Sequence, residues 1–420
     1  MAAPGVAVPG TVIPSGVLVT PGGPQGIGGI QGPSGPNYVS ADAGNIATIG
    51  TDNLILVPQS QITSVRLRSF NAVGNPNFEV AQRNTGTALA NPASGAFIED
   101  RWVQQKSGTL AYNAQVLVGA ETVKVPGTNF YITANLLRIT VTTTQASLAA
   151  GDYMQLVQNI EGPMLRELLG DVHSLQFLVR SSVAGFKFGF SLTDPSNSKS
   201  FTNVGTISAA NTWQLLPFAN IPVFASGGSW SFAPGAAGYV LRICLGCGTT
   251  YTSSANGSWL NGFFIGANGQ SNLFATASAT FDIAFVQHEP GPNCTTLIDK
   301  PFIENLQSCK RYYQKSSTYG VVTPNTGDIY GIGTIMAANN AGVRCFLRFE
   351  QEMAKSPTIS CWDHNNTGNN VYVDGVGSAV VSGGGGSIGH STKGFTSLTL
   401  TAAVASVLPV SAQWTADTGW

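Results

Sequence analysis

The chain has 420 residues, with 20 Lys and Arg against 21 Asp and Glu and a formal net charge of −1. Charged residues make up 10%, where an ordinary soluble domain carries about 25%, so broad attraction to nucleic acid or an anionic membrane is excluded as the main activity. Glycine supplies 50 residues, and no apolar run approaches the ~18 residues that span a bilayer. A neutral chain of small polar residues, long enough for two or three domains, fits an all-β protein.

Residues 1–37 carry many Pro and Gly and no charged side chain. The opening Met1-Ala2-Ala3-Pro4-Gly5 has neither a basic region nor a continuous apolar one, so no secretory signal is expected. Residues 1–22 read as an attachment segment. Gly23, Gly26, Gly29, Gly32 and Gly35 then recur every third position, the spacing a collagen triple helix needs because only Gly fits its crowded axis. Five such triplets extend only about 45 Å, so a triple helix here would need flanking regions that also trimerise. An extended linker without triple-helical winding is the other open reading of 23–37.

Residues 38–72 read as a short trimerising connector. Asp52-Asn53 is a turn and Leu54-Ile55-Leu56-Val57 a strand that Pro58 stops. Residues 73–290 read as one large sandwich of jelly-roll type. β-branched and aromatic runs such as 136–144, 175–183, 186–192 and 279–287 alternate with Gly, Asn, Ser and Pro turns. Asn75-Pro76-Asn77 is turn chemistry placed to open its first strand. One helix is expected, between Pro163 near its start and Gly170 as its stop.

Residues 291–315 read as a connecting helix with a stripe of Phe302, Ile303, Leu306, Cys309 and Tyr313. Residues 316–420 return to strands and read as a smaller, distal sandwich. Its run Gly383–Gly386 is a loop, because no Lys and no strand-loop-helix order accompany it.

Six cysteines in a chain this long do not make a disulfide scaffold. Cys244-Leu245-Gly246-Cys247 is formally C-x-x-C, but it lies in a strand pattern, where positions i and i+3 point to opposite faces. No second Cys or His pair follows at zinc-ligand spacing. A disulfide between Cys294 and Cys309 is an open reading. No metal site and no cofactor is expected.

An ordered series of motifs brings a family to the page. Asn75-Pro-Asn-Phe-Glu-Val-Ala-Gln-Arg-Asn, Asp100-Arg101-Trp102, Gln158-Asn-Ile-Glu161, Thr212-Trp213-Gln, Phe285-Val-Gln-His-Glu-Pro-Gly and Cys309-Lys-Arg-Tyr-Tyr-Gln-Lys-Ser follow one another. The series, covering about 73–316, resembles a domain of fibre proteins in tailed-bacteriophage virions. The resemblance implies a trimeric, β-rich, non-enzymatic protein on the particle surface, with a body similar to carbohydrate-binding modules. Physically, the same residues read as fasteners: Asp100-Arg101 beside a buried Trp102, and Arg311-Tyr312-Tyr313 packed back on the sandwich.

The expected function is therefore adhesion to a host-surface glycan or protein by a homotrimer that binds another virion protein through residues 1–22. A head fibre or capsid decoration is the alternative. The candidate glycan site is Trp362-Asp363-His364-Asn365-Asn366 with Tyr372, where aromatic faces and amides suit sugar rings and hydroxyls. A polysaccharide-degrading tailspike is disfavoured. Glu99, Asp100, Glu161, Asp282 and Glu289 offer no evident pair for glycoside hydrolysis, and no repeat period of a long β-helix is visible.

Overall fold

The computed structural model describes residues 48–49, 55–56, 70–325, 342–373, 377–381, 389–400 and 410–420. The chain divides into two compact units, 1–62 and 63–420. In the first, Thr48–Ile49 pairs antiparallel with Ile55–Leu56. The segment 1–22, the stalk glycines Gly23, Gly26, Gly29, Gly32 and Gly35, and most of the connector 38–72 lie outside the described residues.

Two antiparallel sheets make the body of the second unit. The seven-stranded sheet runs in the order Trp259–Asn261, Lys199–Ile207, Phe186–Thr193, Ala237–Cys247, Tyr153–Glu161, Trp102–Ser107, Phe97–Glu99. The six-stranded sheet runs Gln214–Ile221, His173–Ser181, Thr280–Pro290, Leu136–Thr143, Ala111–Leu117, Leu89–Ala90. From Leu136 onward the chain crosses repeatedly between the sheets, which makes the sandwich jelly-roll-like.

The period-two patterns explain which faces close on one another. Phe186, Phe188, Phe190 and Leu192 point inward from one sheet and Leu175, Phe177 and Val179 from the other, all in one buried cluster. Phe188 meets Phe177 edge-on at 5.5 Å and Phe281 at 5.3 Å. Each such ring contributes about 1.5–3 kcal/mol through burial. Gly205 lies beneath Phe188, where an added Cβ would come within 2.3 Å of the ring.

The residues at 70–88 differ from their expected role. Asn75-Pro76-Asn77 opens no strand. The segment is a run of turns, and the first strand of the sandwich begins at Leu89. Asn75 takes φ +49 and uses its side chain to bond Val80 and Asp100, which folds the segment on itself instead of extending it. The expected helix after Pro163 spans Gly162–Glu167. The helix in 291–315 is confined to Phe302–Lys310, and Tyr313–Lys315 is already a strand. Leu306 and Cys309 are buried on its inner face, whereas Phe302 and Ile303 in its first turn are 41% and 58% exposed, so the expected stripe is buried only from Leu306 onward.

Among the described residues, the C-terminal part forms three small three-stranded sheets. They are Tyr313–Lys315, Gln413–Asp417 and Thr358–Trp362; Gly342–Arg348, Gly394–Thr399 and Gly389–Ser391; and Gly377–Val380, Asn370–Val373 and Val410–Ser411. Phe349, Met353, Ile359, Cys361, Phe395 and Trp414 share their apolar core. The Gly383–Gly386 run lies outside the described residues.

The two thiols of C-x-x-C do not point apart. In the ladder with Tyr153–Glu161, Gly246 opposes Met154 and Cys244 opposes Gln155, so Leu245 is an extra, bulged residue. A bulge resets the alternation and returns Cys244 and Cys247 to one face. There the two side chains interact, and Gln270 Nε2 reaches Cys244 Sγ at 3.4 Å. Cys294 and Cys309 are both free thiols, so the disulfide reading is set aside.

Candidate functional site

The motif residues converge on a buried polar seam between the sandwich and the small sheets. The Asp100 carboxylate accepts from the Gln82 backbone N–H at 2.6 Å and from its amide at 2.9 Å. Glu99 accepts from the backbone of Arg83 and Asn84. Trp102 is fully buried and its Nε1 donates to the Asn75 carbonyl at 3.1 Å. Arg83 lies between the rings of Phe97 and Tyr313 and pairs with Asp417. Glu161 accepts from Arg311 Nε and Nη2, from the Tyr312 hydroxyl and from the Gly235 N–H. Burial works to raise the Glu161 pKa, yet these donors hold it below the usual carboxylate range. The carboxylates considered for hydrolysis thus serve as fasteners. Asp282 is likewise gripped by Arg138 and Arg180, and Glu289 accepts from Thr295.

The loop expected to hold a glycan is also tightly bonded. Asp363 is fully buried. Its Oδ1 accepts from the N–H groups of Asn365 and Thr367, both at 2.9 Å, and its Oδ2 from the Ser378 hydroxyl. Burial pushes its pKa up, and those donors with Asn370 bring it below the ordinary value. Trp362 ends the strand Thr358–Trp362 and is half-buried beside Gly368. His364 and Tyr372 meet edge-on at 4.3 Å, both half-buried. Asn365 is exposed, and Asn366, at φ +63, receives Gln413 Nε2 at 3.4 Å. The six residues are neighbours, but Asp363 is the turn's anchor and has no free edge for a ligand.

A second surface gathers groups of the same chemistry around a fully buried Gln155. Along Tyr153–Glu161 the inward positions Met154, Leu156 and Ile160 enter the core, so Tyr153, Gln155, Val157 and Asn159 stand on the outer face of the seven-stranded sheet. Gln105 opposes Gln155 in register, and Gln155 Nε2 donates to Gln105 Oε1 at 3.0 Å. Arg242 follows from the next strand. It donates to Thr193 Oγ1 at 3.1 Å, Gln155 Oε1 at 3.4 Å and Asn197 Oδ1 at 3.0 Å. The segment 248–270 folds over the far end of this face, and Gly189 admits it: a Cβ there would lie 2.0 Å from Gln270 Oε1.

The result is a row of aromatic rings that leads through Arg242 to a polar groove. Tyr153 meets Tyr251 at 5.2 Å, Tyr251 meets Phe263 at 5.6 Å, and the Arg242 guanidinium lies 4.9 Å over Phe263. All three rings are half-buried. Beyond Arg242 a cavity of about 180 Å³ is lined by Arg101, Val103, Gln105, Val157, Asn159 and Trp420, among others. Amides, a guanidinium and half-exposed ring faces are the donors, acceptors and platforms that a polyhydroxylated ring requires.

Sequence reasoning missed this groove. Its one local signal is the period-two set Tyr153, Gln155, Val157 and Asn159, set against apolar residues at alternate positions. Arg242, Tyr251 and Trp420 are brought to it only by strand pairing and by the return of the distal chain. Among the described residues no group of three or more His, Cys, Asp or Glu gathers at metal-binding distance, and no helix is long and apolar enough to cross a membrane.

No family model and no curated protein matches the chain. Solved structures do match it. The module TmCBM61, in complex with β-1,4-galactotriose, is 12% identical over 53% of this chain and 100% of its own, with a TM-score of 0.28. A family 11 carbohydrate-binding module from Clostridium thermocellum, in complex with a mixed-linked tetrasaccharide, is 9% identical over 49% of this chain and 98% of its own, with a TM-score of 0.26. The enzymatically active domain of tailspike protein 4 of bacteriophage CBA120 is 11% identical over 50% of this chain and 21% of its own, with a TM-score of 0.24. A likeness of this size transfers neither ligand nor activity.

Proposed function

We propose that the chain is a projecting fibre subunit on the surface of a tailed-bacteriophage virion. In this reading it assembles as a homotrimer and is held to another virion protein through residues 1–22. It adheres to a host-surface glycan along the outer face of the seven-stranded sheet. It works by binding, without a cofactor and without cleaving the glycan. The ordered motif series supports the fibre assignment. The observation that carries the adhesive role is the groove in which Tyr153, Tyr251 and Phe263 lead to Gln105, Gln155 and Arg242.

A glycan array screened with the full chain tests the reading. Binding to a defined set of glycans, lost in Tyr251→Ala with Gln105→Ala, is expected. No binding at any density, or release of new reducing ends from a bound polysaccharide, would contradict it. Light scattering of the full chain is expected to report three copies per particle.

A further inference from the structure

We propose that the glycan taken by this groove carries a carboxylate, as a uronic acid does, and that Arg242 is the group that reads it. The inference rests on the glycan reading above and names the substrate class of that same groove.

Four other arginines are treated differently. Arg83 meets Asp417, Arg138 meets Asp282, Arg180 meets Asp282 and Glu121, and Arg311 meets Glu161. Arg242 is 6% exposed and Arg101 is 4% exposed, yet neither belongs to an ion pair among the described residues. Arg242 is held only by neutral oxygens of Thr193, Gln155 and Asn197. Arg101 gives one nitrogen to the Asn159 carbonyl and lays its guanidinium 3.6 Å over Tyr312. Its Nε and Nη1 are buried without an acceptor.

Both arginines line the same cavity, and no carboxylate side chain is among its lining residues. Lys355 adds a third cation, 4.9 Å from the Trp420 ring that forms one wall. Burying a cation without a counter-charge costs several kcal/mol, and here desolvation brings the Arg242 pKa down to about 10. At neutral pH the guanidinium is still charged. A ligand carboxylate would supply the missing counter-charge, and a planar fork is the geometry that takes carboxylates through two parallel hydrogen bonds. The neutral amides of Gln105 and Asn159 beside it suit the hydroxyls of the same ring.

The test is calorimetric titration of the full chain with two oligosaccharides of equal length and linkage, an oligoglucuronate and an oligoglucose. The oligoglucuronate is expected to bind at least about tenfold tighter, with a preference that shrinks as salt is raised. Arg242→Gln is expected to erase the preference, bringing the oligoglucuronate down to the affinity of the oligoglucose, with unfolding followed in parallel. Should Arg242→Gln fail to fold, Gln105→Glu places a carboxylate at the half-buried rim and is expected to weaken the oligoglucuronate much more than the oligoglucose. Equal binding of the two sugars overturns the acidic-ligand inference and leaves the glycan reading standing. Binding of neither overturns both. A preference that survives Arg242→Gln, or Gln105→Glu where that variant stands in for it, overturns the assignment to Arg242.

Discussion

Arg83, at the edge of the sandwich, forms an ion pair with Asp417 in the strand Gln413–Asp417, and its side chain is only 8% exposed. The same guanidinium is stacked between Phe97 and Tyr313, 3.6 and 4.2 Å from their centroids. Residues far apart in sequence thus clamp the small sheets to the body. Removing one partner leaves a buried charge, so Asp417→Asn is expected to cost about 3–5 kcal/mol. The apolar pair Arg83→Met with Asp417→Leu is expected to cost less than either single change. Urea unfolding of the three variants checks this, and strictly additive losses would count against the clamp.

Two histidines sit in the core without a charge partner. Tyr239 Oη bonds His288 Nδ1 at 2.5 Å, His288 Nε2 bonds His173 Nδ1 at 2.8 Å, and Phe224 stacks on His173 at 4.8 Å. Burial depresses both, His173 to about 4 and His288 well below 6.5, the latter also through His173. Between pH 6.5 and about 4 the unfolded chain takes up protons that the folded chain refuses, so stability falls as pH drops through that window, by about 3 kcal/mol for His173 alone. Glu99 acts in the opposite sense. Burial and the neighbouring Asp100 push it up to about 7, so the folded chain takes up its proton first and gains stability as pH falls from 7 towards 4.5. Glu99→Gln is therefore expected to steepen the acid loss. Unfolding free energies at pH 7.5, 6 and 5 measure it, and parallel profiles for variant and parent would refute the assignment.

The bulge at Leu245 sets an order of thiol reactivity. Cys247 is half-buried, and its hydrogen bond with Cys244 lowers its pKa, while burial raises those of Cys244 and Cys309. Iodoacetamide on the native chain is expected to label Cys247 at least about tenfold faster than either buried thiol. Peptide mass mapping over time reads the order, and simultaneous labelling would contradict the packing.

The loop at Trp362 and the groove at Arg242 make different demands on adhesion. Asp363→Asn is expected to loosen the turn and lower thermal stability by about 1–3 kcal/mol, since the buried donors of Asn365, Thr367 and Ser378 lose a charged acceptor. Trp362→Ala is expected to leave glycan affinity unchanged, whereas Tyr251→Ala is expected to lower it about tenfold, the worth of one aromatic platform. Matched binding curves separate the two, and the reverse pattern would move the site to the loop.

Much of the body was legible in the sequence because each strand carries its own signal. Phe186, Phe188 and Phe190 alternate with Lys187, Gly189 and Ser191, and that pattern marks both the strand and its inner face. Pro163 marked its helix for an equally local reason. The misreadings share another cause. At Cys244–Cys247 the alternation was read without the inserted Leu245, which only the partner strand makes visible as a bulge. Asn75 looked like a strand opener because its five-residue bond to Val80 leaves no periodic trace. Asp363 looked free because half of its donors are backbone N–H groups, which no side-chain pattern records. The groove joins residues from 101 to 420, and pairing across the sheet places them together.

Hydrogen–deuterium exchange of the full chain, with and without a glycan recovered from the array, tests the central claim most directly. The account predicts slower exchange in peptides covering Trp102–Ser107, Tyr153–Glu161 and 248–265, with 358–373 unchanged. Protection confined to 358–373, or found in none of these segments while the glycan is bound, would contradict it.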